Sequence, residues 1–162
     1  MKILHLSADS IGGAGRAALR LHYSLIRCGI DSSMWARKVN TNDRGVVGLR
    51  NWREEVLATL REHVDAFPGR FNKGPNDIPR SVAWLGGIKA SSVNKTNADI
   101  VNIHWVGSGM ISIAEIGKIN KPIVWTMHDM WPFCGAEHLS LDAPEARWRN
   151  SYGDKKLIGM PL

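Results

Sequence analysis

A glycine-rich loop, Gly12-Gly13-Ala14-Gly15, separates the first apolar stretch of the chain from a segment with helical periodicity. Glycines let a ligand approach the backbone closely, and the first turn of a helix offers unpaired N–H groups at its positive end, which suit a phosphate. Arg16 stands beside these donors, where a cation opposes the helix dipole unless an anion lies between them. The loop therefore predicts an anion site; the alternative is that Arg16 points into water.

Two histidines end apolar, β-branched stretches further along the chain. His104 ends the stretch that begins at Ile100, and His128 ends the stretch that begins at Pro122, with Asp129 next to it. Either histidine could hydrogen-bond a sugar hydroxyl or a phosphate, or could be a structural residue bonded to a nearby carbonyl, and for His104 the structural role is favoured. Asp129 could face the same cleft or could cap the following turn.

Three tryptophans lie near these histidines and could offer a surface on which a sugar stacks. Trp125 falls inside an apolar stretch, which favours a place in the core. Trp131 follows that stretch and is the better candidate for a sugar contact, while Trp105 directly follows His104.

Several other chemistries are excluded by their missing motifs. The loop lacks the GxxxxGK[ST] pattern of P-loop enzymes and the GxGxxG spacing of dinucleotide-binding enzymes, and Arg37-Lys38 stand where a ribose-binding carboxylate would end the second strand. There is no HExxH and no Cys/His cluster, so neither a metal site nor a cofactor is expected. Cys28 and Cys134 are far apart, which favours a reduced, cytoplasmic setting.

The candidate residues must be positioned by alternating strands and helices. Apolar patterning predicts strands at Lys2 to Ser7, Ser33 to Ala36, Val46 to Leu49, Ile100 to His104 and Pro122 to Met127, and helices from the glycine-rich loop to Cys28, at Trp52 to Val64 and at Ile111 to Lys118. This alternation predicts an α/β domain with a mainly parallel sheet. Because parallel strands point the same way, we expect Gly12, His104 and His128 at one sheet edge, the edge where open α/β sheets bind ligands.

Two finer expectations concern packing. The first helix should bury the face Ala14, Ala18, Leu21, Leu25 and Cys28, and Gly29 should end it. The strands at Ile100 to His104 and Pro122 to Met127 should be buried on both faces.

Composition and charge are those of a globular domain with a basic half. The 162 residues are 44% apolar and 22% charged, and no apolar run approaches the ~20 residues that span a bilayer. Residues 1–81 hold 13 Lys and Arg against 8 Asp and Glu, and the remainder holds 8 against 7. This excess predicts peripheral docking to an anionic membrane surface through Arg61, Arg70, Lys73 and Arg80, with a merely basic surface as the alternative. No nucleic-acid-binding motif accompanies it.

Three segments together resemble a known family: GGAGRAALRLHYSLIRCGIDSSMWARK, NADIVNIHWVGSGMIS and KPIVWTMHDMWPFCGAEH. Their order resembles the N-terminal domain of family 4 glycosyltransferases over residues 1–150, with the greatest similarity to bacterial enzymes of O-antigen, capsule and colanic-acid assembly. The resemblance implies a GT-B fold, in which two Rossmann-like αβα domains face each other across a cleft. It also implies retaining transfer of a hexose from a nucleotide sugar to a lipid-linked or polysaccharide acceptor, without an obligatory metal.

The resemblance also assigns expected roles to the candidate residues. In the family, the N-terminal domain mainly binds the acceptor, and the segment that matches Gly12-Gly13-Ala14-Gly15 lies against the donor diphosphate and the acceptor. The histidine that matches His128 contacts the donor sugar. From their positions in the sequence, and not from the resemblance, Arg16 is expected on the diphosphate side, and Asp129, Trp131 and His104 are expected as sugar or cleft contacts.

The resemblance further predicts a truncated enzyme. Residues 151–162 form an atypical tail, and the C-terminal domain that would hold the nucleotide sugar is absent from the chain. We therefore expect no transfer by these residues alone. The alternative is a non-catalytic module that binds an acceptor or a partner protein.

Overall fold

The computed structural model describes residues 1–48, 56–57, 59–61, 63–64, 80–144 and 146–150. Its strands are β1 (Lys2–Asp9), β2 (Asp31–Lys38), β3 (Val46–Val47), β4 (Ile100–Ile103) and β5 (Ile123–Trp125), and its named helices are α1 (Gly13–Arg27), α2 (Ala90–Asn94), α3 (Ile113–Ile116) and α4 (Arg147–Asn150). Residues 56–57, 59–61 and 63–64 are also helical, as predicted for that region. The rest of that predicted helix and Leu49 lie outside the described residues.

The five strands form one parallel sheet in the order β3-β2-β1-β4-β5. This confirms the predicted Rossmann-like α/β fold. The glycine-rich loop follows β1, His104 follows β4, and His128 lies three residues beyond the end of β5. Because all strands run in one direction, these three segments leave the sheet at the same edge.

Apolar side chains are buried on both faces of the sheet. On one face, Leu4 and Leu6 of β1 pack with Val101 and Ile103 of β4 and with residues such as Val93 of α2. On the other face, a smaller cluster joins Ala18 of α1 to residues of β2 and β3, namely Met34, Ala36 and Val46. Helices therefore lie on both sides of the sheet, as a three-layer αβα arrangement requires.

Helix α1 ends as predicted but buries a different face. Gly29 adopts φ +76°, and the next residue donates its N–H to the carbonyl of Leu25 at 3.0 Å, which closes the helix. The buried residues of α1 are Gly15, Ala18 and His22. Leu21 and Cys28 of the predicted face are exposed. The prediction failed because apolar periodicity gives no weight to a glycine or a histidine, and both pack closely against β1.

The prediction that both faces of the last strand are buried is wrong for β5. It is an edge strand within the described sheet, and Ile123 and Val124 are 39% and 50% exposed. β4, which lies between β1 and β5, has Val101 and Ile103 buried on one face and Asn102 buried on the other, as predicted.

No described helix is both long enough and apolar enough to span a bilayer. Cys28 is exposed and Cys134 is buried, and neither forms a disulfide with a described residue.

Candidate functional site

Three histidine side chains form a hydrogen-bonded row across neighbouring strands. His104 Nδ1 lies 3.0 Å from His128 Nε2, and His104 Nε2 lies 3.1 Å from His5 Nδ1. The rings of His104 and His128 stack with their centroids 5.2 Å apart. His128 is exposed, whereas His104 and His5 are buried. The row therefore leads from the surface at the sheet edge into the interior.

The register of the sheet explains why these histidines meet. His5 of β1 pairs with Asn102 of β4, which in turn pairs with Val124 of β5. Side chains two residues apart on a strand share a face. His104 and His128 therefore follow Asn102 and Val124 on the same face of the sheet as His5, one neighbouring strand after another.

Burial keeps the inner rings of the row neutral. Burial, and secondarily the charge of His22, lowers the pKa of His5 to about 4. Burial, and then the charges of His5 and His128, lowers the pKa of His104 to about 3. The pKa of His22 is also lowered by burial, although Asp43, with its Oδ2 3.8 Å from His22 Nε2, opposes that shift. At neutral pH His5 and His104 therefore carry no buried charge.

His104 is thus placed behind His128 and does not line a cleft itself. Only 2% of its surface is exposed, and both of its ring nitrogens contact other histidines. This agrees with the structural role that the sequence favoured for His104, and it corrects the expectation that His104 is a cleft contact. The sequence analysis did not single out His5, because a single histidine inside a strand does not show which side chains of the neighbouring strands it will contact.

The glycine-rich loop is held by a carboxylate that the sequence analysis also overlooked. Asp9 Oδ1 accepts the N–H groups of Ile11 and Gly12 at 3.0 and 2.8 Å. The N–H of Arg16 donates to the carbonyl of Gly12 at 2.9 Å. Part of the donor set expected to face a phosphate is therefore already used. The spacing Asp-x-x-Gly, which favours a side chain bonded to the turn, was the available signal.

The glycines of this loop have different roles. A Cβ atom on Gly15 would lie 2.6 Å from Asp9 Oδ1 and 2.8 Å from Asp9 C, so Gly15 allows α1 to pack against β1. A Cβ on Gly13 would meet no atom within 4 Å. Gly12, Gly13 and the side chain of Arg16 are exposed, and Ala14 is half-buried. The open side of the loop is therefore at Gly12, Gly13 and Arg16, where an anion could approach the start of α1.

The glycines that follow β4 serve packing. Gly107 and Gly109 are buried, and the carbonyl of Gly109 accepts the N–H of Gly87 at 3.0 Å. A Cβ on Gly107 would lie 2.8 Å from the ring of Trp105. Both glycines are therefore enclosed by neighbouring backbone and ring atoms and do not open this edge of the sheet to a ligand.

Trp131 lies in the core and does not form a sugar platform. It is 4% exposed, its indole N–H donates to the carbonyl of Ser81 at 2.7 Å, and its ring packs against Trp125 with the centroids 6.0 Å apart. The predicted cleft role of Trp131 is corrected for this reason. The core position expected of Trp125 agrees with its packing against the main cluster.

We expect Trp131→Phe to lower the free energy of unfolding by about 1–3 kcal/mol, because the buried carbonyl of Ser81 loses its donor. Urea denaturation measures this loss, and isothermal titration with a saccharide ligand provides the comparison. Affinity for the ligand should stay within twofold of the wild-type value. A large loss of affinity with unchanged stability would restore the stacking role.

Asp129 joins two segments of the chain. Its Oδ1 accepts the N–H of Trp131 at 3.1 Å, and its Oδ2 lies 2.5 Å from His138 Nδ1. His138 Nε2 lies 2.9 Å from the hydroxyl of Ser81. The indole nitrogen of Trp105 is also 3.2 Å from His138 Nδ1. The shorter, charge-assisted contact to Asp129 takes the Nδ1 hydrogen, so Nε2 accepts the Ser81 hydroxyl.

This arrangement supports the turn-capping alternative for Asp129. The segment around Ser81 is also tied to the 129–138 segment by an antiparallel bridge and an ion pair between Arg80 and Glu137, with Arg80 Nη2 and Glu137 Oε1 3.6 Å apart. The Arg80 side chain is only 8% exposed and is paired, so it cannot belong to a freely exposed basic face as predicted. Arg70 and Lys73 lie outside the described residues.

A cavity of about 560 Å³ lies beside β2 and β3 on the sheet face that carries the main core. Its lining includes the cations Arg37, Arg61 and Lys89 together with the apolar surfaces of Trp35 and Ile88. No carboxylate is found among the described residues that line it. Such a lining suits an anionic group attached to an apolar body. Sequence reasoning could not find this cavity, because its residues come from separate segments.

The Glycosyltransferase Family 4 model matches residues 11–157. That span covers most of the chain and includes the glycine-rich loop and both segments that carry His104 and His128. The chain belongs to Glycosyltransferase Family 4. Its parallel sheet is that of a Rossmann-like glycosyltransferase domain of the GT-B type. No curated protein and no solved structure matches the chain.

Within the described part of this glycosyltransferase domain, no group of three or more His, Cys, Asp or Glu side chains could hold a metal ion. Both ring nitrogens of His104 contact other histidines.

Proposed function

We propose that this domain forms the acceptor side of a sugar-transfer site, with His128 and the open side of the glycine-rich loop facing the donor. The donor is a nucleotide sugar and the reaction is retaining. The acceptor is a lipid-linked or polysaccharide chain of cell-surface polysaccharide assembly, including the O-antigen type, in a cytoplasmic setting. The observation that carries the proposal is the family match over residues 11–157, because it joins the loop and the two histidine segments in one span.

The geometry adds support at the sheet edge. His128 is exposed and its Nε2 is held by His104, so the ring has a fixed position and its Nδ1 has no hydrogen-bond partner among the described residues. Gly12, Gly13 and Arg16 are exposed at the start of α1, whose dipole favours an anion. The donor sugar would meet His128, and the donor diphosphate would meet the start of α1 at Gly12, Gly13 and Arg16.

The cationic cavity beside β2 suggests where an acceptor could bind. A lipid-linked acceptor combines an anionic phosphate with an apolar chain. Arg37, Arg61 and Lys89 can pair with the phosphate, while Trp35 and Ile88 offer apolar contact. We assign the acceptor phosphate to this cavity as part of the proposal.

We expect His128→Ala to weaken nucleotide-sugar binding about tenfold or more, because a hydrogen bond to a charged or polar ligand is lost. The measurement is isothermal titration with a panel of UDP- and GDP-linked hexoses, on the 162-residue chain supplied with a donor-binding domain. Where transfer can be measured, kcat/KM should fall by a similar factor. His63→Ala is the matched control, because His63 is exposed and contacts only the carbonyl of Thr59 among its described partners. Equal affinities for wild type and His128→Ala would demote His128 to a structural role.

The alternative is a module that binds an acceptor or a partner without catalysis. Transfer requires donor and acceptor to be held together, and the gain in effective molarity is lost when either is unbound. Residues 1–162 as a separate polypeptide should therefore bind ligands without turnover, and should support turnover when a donor-binding domain is supplied. Turnover that never appears with any such domain, despite acceptor binding, would favour the non-catalytic module.

A further inference from the structure

The two contacts of the histidine row place strict limits on its hydrogens. Each N···N contact, at 3.0 and 3.1 Å, requires one nitrogen to donate and the other to accept. A neutral imidazole carries a single ring hydrogen. When all three rings are neutral, the row therefore has only two arrangements, in which His5, His104 and His128 all carry hydrogen on Nδ1 or all carry it on Nε2.

The inner end of the row decides between these arrangements. His5 Nε2 is buried and has no hydrogen-bond partner among the described residues. The nearby ring of His22 meets His5 edge to face with the centroids 6.2 Å apart, and its own Nε2 is directed toward Asp43. A buried N–H without an acceptor is rarer in proteins than an acceptor that lacks a donor. His5 Nε2 is therefore the bare nitrogen, and His5 Nδ1 carries the hydrogen.

The rest of the row follows from that choice. His5 Nδ1 donates to His104 Nε2, so the hydrogen of His104 lies on Nδ1. His104 Nδ1 then donates to His128 Nε2, so the hydrogen of a neutral His128 lies on Nδ1. His128 is the exposed residue of the row, so its Nδ1–H is at the end of the row that a ligand can reach.

We propose that His104 and His5 are positioning residues that hold His128 as its Nδ1–H tautomer, so that His128 offers a ligand oxygen a donor and not an acceptor. The ligand class is one with an oxygen lone pair at this point, a sugar hydroxyl or a phosphate oxygen. A general-base role through Nδ1 is excluded in this state. The ligand contact rests on the proposed function, whereas the tautomer is a property of the free domain.

The test is ¹⁵N NMR of the histidine rings in the 162-residue chain at pH 8, above the ordinary histidine pKa of about 6.5. Ring ¹⁵N shifts distinguish a protonated nitrogen from a bare one, and single His→Gln variants assign the signals. We expect Nδ1–H in His5, His104 and His128, with a coupling across the hydrogen bond from His104 Nδ1 to His128 Nε2. Nε2–H in all three rings would overturn the proposal.

Two variants separate positioning from simple packing. His104→Asn places an amide N–H near the position of Nδ1 and should keep His128 as the Nδ1–H tautomer. His104→Leu removes the donor, and His128 should then return to a mixture of tautomers. An unchanged Nδ1–H signal in folded His104→Leu would refute the positioning role. A confirmed tautomer without any nucleotide-sugar binding would reject the proposed function and leave this inference standing.

Discussion

Lowering the pH from 7 to about 4.5 is expected to unfold this domain, because its interior holds neutral histidines that the unfolded chain would protonate. In the unfolded chain a histidine has a pKa of about 6.5, whereas the pKa is lowered to about 4 for His5 and about 3 for His104. Below pH 6.5 the unfolded state therefore binds more protons than the folded state. The stabilisation is complete above pH 6.5 and is lost as the pH falls.

The size of this effect is large compared with the stability of a single domain. Each of the two rings contributes up to about 1.4 kcal/mol per pH unit within that window. Two pH units then remove several kcal/mol from a total that is about 5–15 kcal/mol for typical domains. His22, whose pKa is also lowered by burial, adds to the effect, and Asp43 beside it works in the opposite direction.

Urea midpoints followed by tryptophan fluorescence at pH 7, 6 and 5 measure this dependence. His104→Asn should reduce its slope, because the amide cannot take up a proton. His63→Gln should leave the slope unchanged, since His63 is exposed. A free energy of unfolding that is constant between pH 7 and 5 would show that the inner rings are not buried as described.

Gly15→Ala is expected to lower the free energy of unfolding by about 2–3 kcal/mol, as overpacking does in a closely packed region. The added methyl group would lie 2.6 Å from Asp9 Oδ1 and 2.8 Å from Asp9 C. Relief requires α1 to move away from β1, because backbone atoms of a central strand cannot rotate aside. Thermal and urea denaturation report the loss.

Gly13→Ala is the matched control in the same turn. A Cβ there meets no atom within 4 Å, and the φ of Gly13 is not positive. Alanine should be neutral or should stabilise the helix by up to about 1 kcal/mol, because it restricts the unfolded chain. Similar losses at both positions would mean that helix propensity, and not contact with Asp9, governs this loop.

Local patterns in the sequence predicted the strands and their order but not the short helices α2 and α4. The apolar stretches predicted all five strands, with β4 and β5 shorter than expected at their carboxyl ends, and the glycine after α1 predicted where that helix ends. The motif order identified the family before the structure was known. These features depend on residues close together in the chain, so a linear pattern contains them.

The candidate site was predictable only as a location. The carboxyl ends of the strands indicated the correct edge for His104 and His128. The sequence did not indicate that the Asp9 carboxylate accepts a backbone N–H of the glycine-rich loop. It also did not indicate that Trp131 is buried and donates to the carbonyl of Ser81. The sequence analysis also placed Arg80 on an exposed basic face, whereas in the structure Arg80 forms an ion pair with Glu137.

The sequence by itself therefore determined the parallel α/β fold, the family and the sheet edge at which the candidate residues gather. Only the tertiary structure decided which of them touch. The partners of His104 come from positions 99 residues before it and 24 residues after it. Strand register brings such residues together, and burial lowers the pKa of His5 and His104. Neither the register nor the burial can be derived from the spacing of residues along the chain.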